Sequence, residues 1–281
     1  MTVPPTDRGI YRGMDAAEID RQYNFRRMVP DHPAAFARWT EASAATRAAR
    51  RALLDIPTGP HPRQRLDLFP AGEGAPLLAF IHGGYWRALS KEYFSFLADP
   101  WLDRGVAVAL IGYGLCPDVT FGTLIDHVRG GVAWLAGHGA AHGVDPARIV
   151  LSGHSAGGHL TALLASTPGA PLAGGVCLSG IYDLEAMLSF EANEALRLDL
   201  PAARRLSPLT LVPQGEAPPL VLALGRRRAR TCTASRTTMP RPGAPPATGS
   251  ASWTSPAPTT SPWSTASPIP PAPCSRRRWR S

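Results

Sequence analysis

The chain has 281 residues, 44% of them hydrophobic and 18% charged, with 29 Lys plus Arg against 21 Asp plus Glu and a formal net charge of +8. That composition excludes a wholly disordered, collagen-like or disulfide-stapled chain and suits one large α/β domain or two small ones. The charge is unevenly placed: residues 1–225 carry a net −2, whereas the last 56 residues carry ten Arg and no acid.

Residues 1–60 are polar and helical in pattern, with helices predicted over 15–23 and 33–54, where Ala, Arg and Glu favour the helix. They are expected to form a lead-in or cap. A core over 61–225 follows, opening with strands at 66–69 and 77–81, then a helix at 91–104 and a buried strand at 106–111. A helix at 123–138, a strand at 148–152, a helix at 156–165 and a strand at 175–178 continue the alternation. A polar insertion runs through Pro208, and a last strand lies at 220–224. Strand and helix in turn imply a doubly wound, mostly parallel α/β sheet. From Arg226 onward Pro, Arg, Ser, Thr, Ala and Gly make up nearly everything, so the 226–281 tail cannot bury enough apolar area to offset its conformational entropy.

The four cysteines, Cys116, Cys177, Cys232 and Cys274, form no C-x-x-C pair, which predicts neither a zinc site nor a disulfide framework. The N-terminus has no basic region followed by an apolar one, and no apolar run approaches a membrane span. The expectation is a soluble cytoplasmic protein without metal or cofactor that acts on a small molecule. The high pI belongs to the tail, so nucleic-acid binding is not expected of the body.

Two motifs carry chemistry. Gly153-His154-Ser155-Ala156-Gly157-Gly158 follows a buried strand and opens a helix. A sharp strand-to-helix turn lifts a serine hydroxyl out of the sheet and needs small residues two before and two after it. Ser155 is the candidate nucleophile, placed at a helix N-terminus that favours developing negative charge. His82-Gly83-Gly84-Tyr85-Trp86 ends the strand at 77–81, and adjacent glycines there can bring backbone N–H groups to a substrate oxygen. The amides of Gly83, Gly84 and Ala156 are the candidate oxyanion donors. His82, Tyr85, Trp86 and Asp183 are candidate pocket residues, with packing of the loop the alternative role for Tyr85 and Trp86.

With Asp145-Pro146-Ala147-Arg148-Ile149 and Ser179-Gly180-Ile181-Tyr182-Asp183-Leu184, these motifs make residues 11–225 resemble the α/β-hydrolase fold and, within it, the kynurenine formamidase group of small esterases. Gln22-Tyr23-Asn24 and Leu66-Asp67-Leu68-Phe69 fit the same group. The resemblance implies a Ser155 acyl-enzyme, a histidine that moves the proton and an acid that orients it. A general carboxylesterase shares the same core motifs.

That fold orders its triad serine, acid, histidine, with the histidine after the strand that follows 220–224. Here all eight histidines, His32, His61, His82, His127, His138, His142, His154 and His159, precede residue 160. Each reads as structural or solvated, and Asp183 and Glu185 follow the wrong strand for the acid. The departure coincides with the composition break, which points to a shifted reading frame near Gly225. Back-translated and read from the third base of each codon, residues 258–270 permit Asp-His-Phe-Ser-Val-Val-Asp-Gly-Leu-Ala-Asp-Pro, similar to the family's histidine segment. The same offset over 231–242 permits Leu-His-Arg-Gln-Ser-Asp-Asp-Tyr-Ala-Ala-Ala, a helix-forming stretch. A chain so altered is expected to be inactive and poorly folded. The rival from another class is a non-catalytic scaffold whose clusters at 226–228 and 276–278, with Trp279, bind nucleic acid. Oligomeric state is left open.

Overall fold

The computed structural model describes residues 11–211 and 217–224. The proposed tail, its basic clusters and the frame-shifted segment lie outside them.

Two short helices come first, α1 (Ala16–Tyr23) and α2 (Phe25–Met28). Asp15 and Asn24 cap them, each side chain accepting a backbone N–H of the first turn. Helix α3 spans His32–Ala49 and ends four residues before strand β1 (Leu53–Pro57). The helix expected to run to Leu54 therefore stops early. Arg50 is extended at its C-cap, and Leu53 and Ile56, either side of a register shift, pair with Leu68 and Leu66 of the next strand. Sheet pairing outweighs the local helix propensity of that segment.

Strands β2 (Arg65–Phe69), β3 (Ala75–Ile81), β4 (Ala107–Ile111), β5 (Val144–His154), β6 (Gly174–Leu178) and β7 (Leu220–Ala223) complete one sheet in the order β1-β2-β4-β3-β5-β6-β7. β1 and β2 are antiparallel, and the five strands from β4 to β7 run parallel. The segment read as one helix at 91–104 is a 3₁₀ turn over Lys91–Leu97 followed by α4 (Ala98–Leu102). Helices α5 (Phe121–His138) and α6 (Ala156–Ala165) follow β4 and β5. The polar insertion contains a 3₁₀ turn at Leu184–Ser189, α7 (Asn193–Leu196) and α8 (Leu200–Arg205).

Alternation along the strands splits the core into two layers. Leu77, Ala79 and Ile81 of β3, with Ala107, Ala109 and Ile111 of β4, face the layer built with α5 and α6. Phe80, Val108 and Leu110 face the other layer, with Phe69, Phe94 and Ala98 and with Trp39 of α3. With both faces covered, the functional loops gather where the parallel strands end, as expected for open α/β sheets.

Candidate active site

β5 ends at His154 and α6 begins at Ala156, leaving one residue to make the turn. That residue, Ser155, has φ +57° and ψ −113°, a region a side chain rarely occupies and that costs about 1–3 kcal/mol unless its surroundings hold it. They do. The Ser155 N–H donates to the Leu178 carbonyl of β6 at 2.9 Å, and the Ser155 carbonyl accepts from His159 N–H at 3.0 Å. A Cβ on Gly153 would lie 2.2 Å from the Gly157 carbonyl oxygen, and one on Gly157 would lie 2.0 Å from that of Ile81. A Cβ on Gly158 would lie 2.9 Å from Gly180 Cα. The glycine spacing in the sequence thus answers backbone-to-backbone packing between β3, β5, α6 and the loop after β6.

Residues 82–90 leave β3 and fold against this turn. A Cβ on Gly83 would sit 2.8 Å from the His154 carbonyl oxygen and 3.3 Å from Ser155 Cβ. Gly84 has φ +111°, and Tyr85 and Trp86 follow at +51° and +57°. Among the described residues, the amides of Gly83, Gly84 and Ala156 meet no protein acceptor. Gly83 and Ser155 are brought together as the sequence suggests.

The four candidate pocket residues are placed differently from one another. His82 is buried beneath the loop, its ring stacked on Tyr113 at 4.3 Å and its Nδ1 donating to the Gly83 carbonyl at 2.8 Å. Burial pushes its pKa down to about 4, so the ring is neutral near pH 7. Trp86 is fully enclosed, edge-on to His159 at 5.1 Å and against Phe121. Both side chains pack beneath the loop, the role left open above for Trp86, whose indole the two left-handed residues turn back under the loop. Tyr85 is buried too, and its hydroxyl donates to the Tyr23 carbonyl and accepts from Phe25 N–H at 3.2 Å. Asp183 accepts from the Tyr11 hydroxyl at 2.8 Å and Arg12 Nη2 at 3.1 Å, which fastens the start of the described chain to the loop after β6.

No histidine is hydrogen-bonded to Ser155 among the described residues. His159 Nε2 donates to the Leu206 carbonyl at 2.8 Å, and burial lowers its pKa to about 4. His127 Nδ1 accepts from Gly114 N–H and His61 Nδ1 from Arg63 N–H, their rings 5.0 Å apart. His138 and His142 stack on Trp134, and His32 Nδ1 bonds the Val29 carbonyl. Glu185 pairs with Arg204. Tyr113 escaped the sequence reading, and its one available signal was its place just beyond the C-terminal end of β4, where sites in such sheets form. Among the described residues no group of three or more His, Cys, Asp or Glu could hold a metal ion, and no helix is long and apolar enough to cross a membrane.

A serine on a left-handed strand-to-helix turn, a diglycine loop against it and this strand order together define an α/β-hydrolase. The BD-FAE family model matches residues 67–177. A solved structure of a candidate thioesterase from Silicibacter sp. TM1040 superposes with a TM-score of 0.62 at 31% identity, covering 72% of this chain and 81% of that one. The chain is 33% identical over 223 residues to the kynurenine formamidase of Salmo salar and 30% identical over 223 residues to that of Danio rerio, covering 73% of each partner in both comparisons. It belongs to the kynurenine formamidase family and is a hydrolase of arylformamidase or esterase type.

Proposed function

We propose that the chain carries the acyl-transfer centre of an arylformamidase, cleaving N-formylkynurenine or a related aryl formamide through an acyl-enzyme on Ser155. The Ser155 oxygen attacks the formyl carbon while its proton passes to a base. The oxyanion is held by the amides of Gly83, Gly84 and Ala156, and collapse expels the amine, which takes the proton. Water then attacks the formyl ester and releases formate. The observation that carries this reading is the strained Ser155 backbone, fixed by glycine-only packing against the diglycine loop. A strained residue of this kind persists where the surroundings over-determine it, as at reactive sites.

The base is the missing part. The sequence holds no histidine after His159, and the fold's order places the acid and histidine beyond β7. A reading frame shifted near Gly225 accounts for both losses. Loss of the general base leaves only what binding and the oxyanion donors supply, so the 281-residue chain is expected to turn over N-formylkynurenine at least about 10³-fold more slowly than a frame-restored one. Steady-state rates of the two chains, with Ser155→Ala in each, test this. Equal rates would overturn the missing-base reading, and a frame-restored chain indifferent to Ser155→Ala would overturn the nucleophile. The same assay on a short aryl ester separates formamidase from carboxylesterase.

A further inference from the structure

Arg63 lies outside both motifs, in the turn that leads into β2. Its Nη2 donates to the Leu89 carbonyl at 2.6 Å and its Nε to the Tyr113 carbonyl at 3.2 Å. One planar cation therefore joins the loop after β3 to the loop after β4. Its own backbone is held as well: the Arg63 N–H donates to His61 Nδ1 at 3.1 Å, and the His61 ring lies on His127. Among the described residues Arg63 pairs with no carboxylate, so its charge is directed at carbonyl oxygens.

Both carbonyls lead to the diglycine. Leu89 has φ +68°, an unfavourable conformation for a branched side chain. The 88–89 backbone closes over Gly84, where a Cβ would meet the Ala88 carbonyl oxygen at 2.1 Å and Leu89 Cγ at 3.3 Å. On the other arm, the Tyr113 hydroxyl donates to the His82 carbonyl at 2.9 Å. The His82 ring in turn holds the Gly83 carbonyl. A peptide's C=O and N–H point in opposite directions, so fixing the Gly83 carbonyl inward turns the Gly84 N–H outward.

We propose that Arg63 is a positioning residue for the oxyanion-binding amides of Gly83 and Gly84. Its rigid fork presents two N–H vectors at once, which a single lysine ammonium does not reproduce. The proposal rests on the reading of that loop given above. The hold is therefore tested by exchange in the 281-residue chain, and the reading by turnover in its frame-restored form, which regains the base.

Arg63→Gln and Arg63→Lys are compared with Arg65→Gln, which removes a neighbouring guanidinium bonded to the Pro62 and Asp55 carbonyls. Amide hydrogen exchange over residues 82–90 measures the hold. Ser155-dependent release of p-nitrophenol from p-nitrophenyl acetate, resolved into kcat and KM, measures the consequence. Arg63→Gln is expected to speed exchange of 82–90 roughly tenfold while β5 and α6 keep their protection. It should also lower kcat about 10- to 100-fold with KM nearly unchanged. Arg63→Lys should recover part of both, and Arg65→Gln should alter neither. Unchanged exchange at 82–90, or a rise shared equally by β5 and α6, would overturn the positioning role. So would a loosened loop with kcat intact. A frame-restored parent with no Ser155-dependent release would count against the oxyanion reading itself, while exchange alone would still decide whether Arg63 holds the loop.

Discussion

The Tyr85 hydroxyl lies between the Tyr23 carbonyl and the Phe25 N–H, at the joint between α1 and α2. Its ring is stacked with Phe25 and tilted against Phe190, so removing the oxygen alone should leave the packing and release the joint. Tyr85→Phe is expected to cost about 1 kcal/mol, confined to the lead-in. Trypsin cleavage at Arg26 and Arg27 under native conditions should accelerate several-fold while the urea midpoint of the core moves little. Cleavage at the parent rate would remove the assigned role. Residue by residue, Ser155 and its glycines were legible because the turn's sterics permit few alternatives at 153, 157 and 158. Trp86 was not, because its direction is set by backbone angles at 85 and 86 that no side-chain pattern announces. Arg63 was likewise silent, since its partners are carbonyls 26 and 50 positions away.

At the scale of elements, β7 is, with β1, one of the two edge strands among the described residues, and Val221 on it is 59% exposed. An unpaired apolar strand edge is a template for pairing with another chain. Val221→Lys is therefore expected to lower light scattering of the concentrated protein without changing its circular dichroism. Equal scattering would place the source of association elsewhere. Strands β3 to β6 were readable because apolar runs bounded by Gly and polar residues mark buried parallel strands. β1 was hidden because Ala-rich α3 runs into it without a glycine stop, and its pairing with β2 is decided by partners rather than by its own residues. The 3₁₀ turn at 91–97 was read as α-helix because i, i+3 spacing serves both. Its Lys91 is held by its neighbour Glu92 and, at long range, by Asp55 and Asp67, which draw the turn onto β1 and β2.

For the molecule as a whole, two buried imidazoles set a pH dependence. His82 and His159 are both brought to about 4 by burial, against about 6.5 in an unfolded chain. Between these values the unfolded chain binds more protons, so stability is fully present above pH 6.5 and falls as pH drops toward 4. The slope is on the order of 1 kcal/mol per ring per pH unit in that window. Urea midpoints at pH 7, 6 and 5 should fall steadily, and His159→Gln should flatten the profile by about half. A midpoint constant from pH 7 to 5 would contradict the neutral buried state of both rings.

The strand order carries one further consequence. β3 and β5 are immediate neighbours near the middle of the sheet, and between them they supply the diglycine loop and the serine turn. The proton-handling partners of this fold belong to its rim, beyond β7. A loss at the rim would thus take the relay first and leave, at the centre, an alcohol still aimed and still strained.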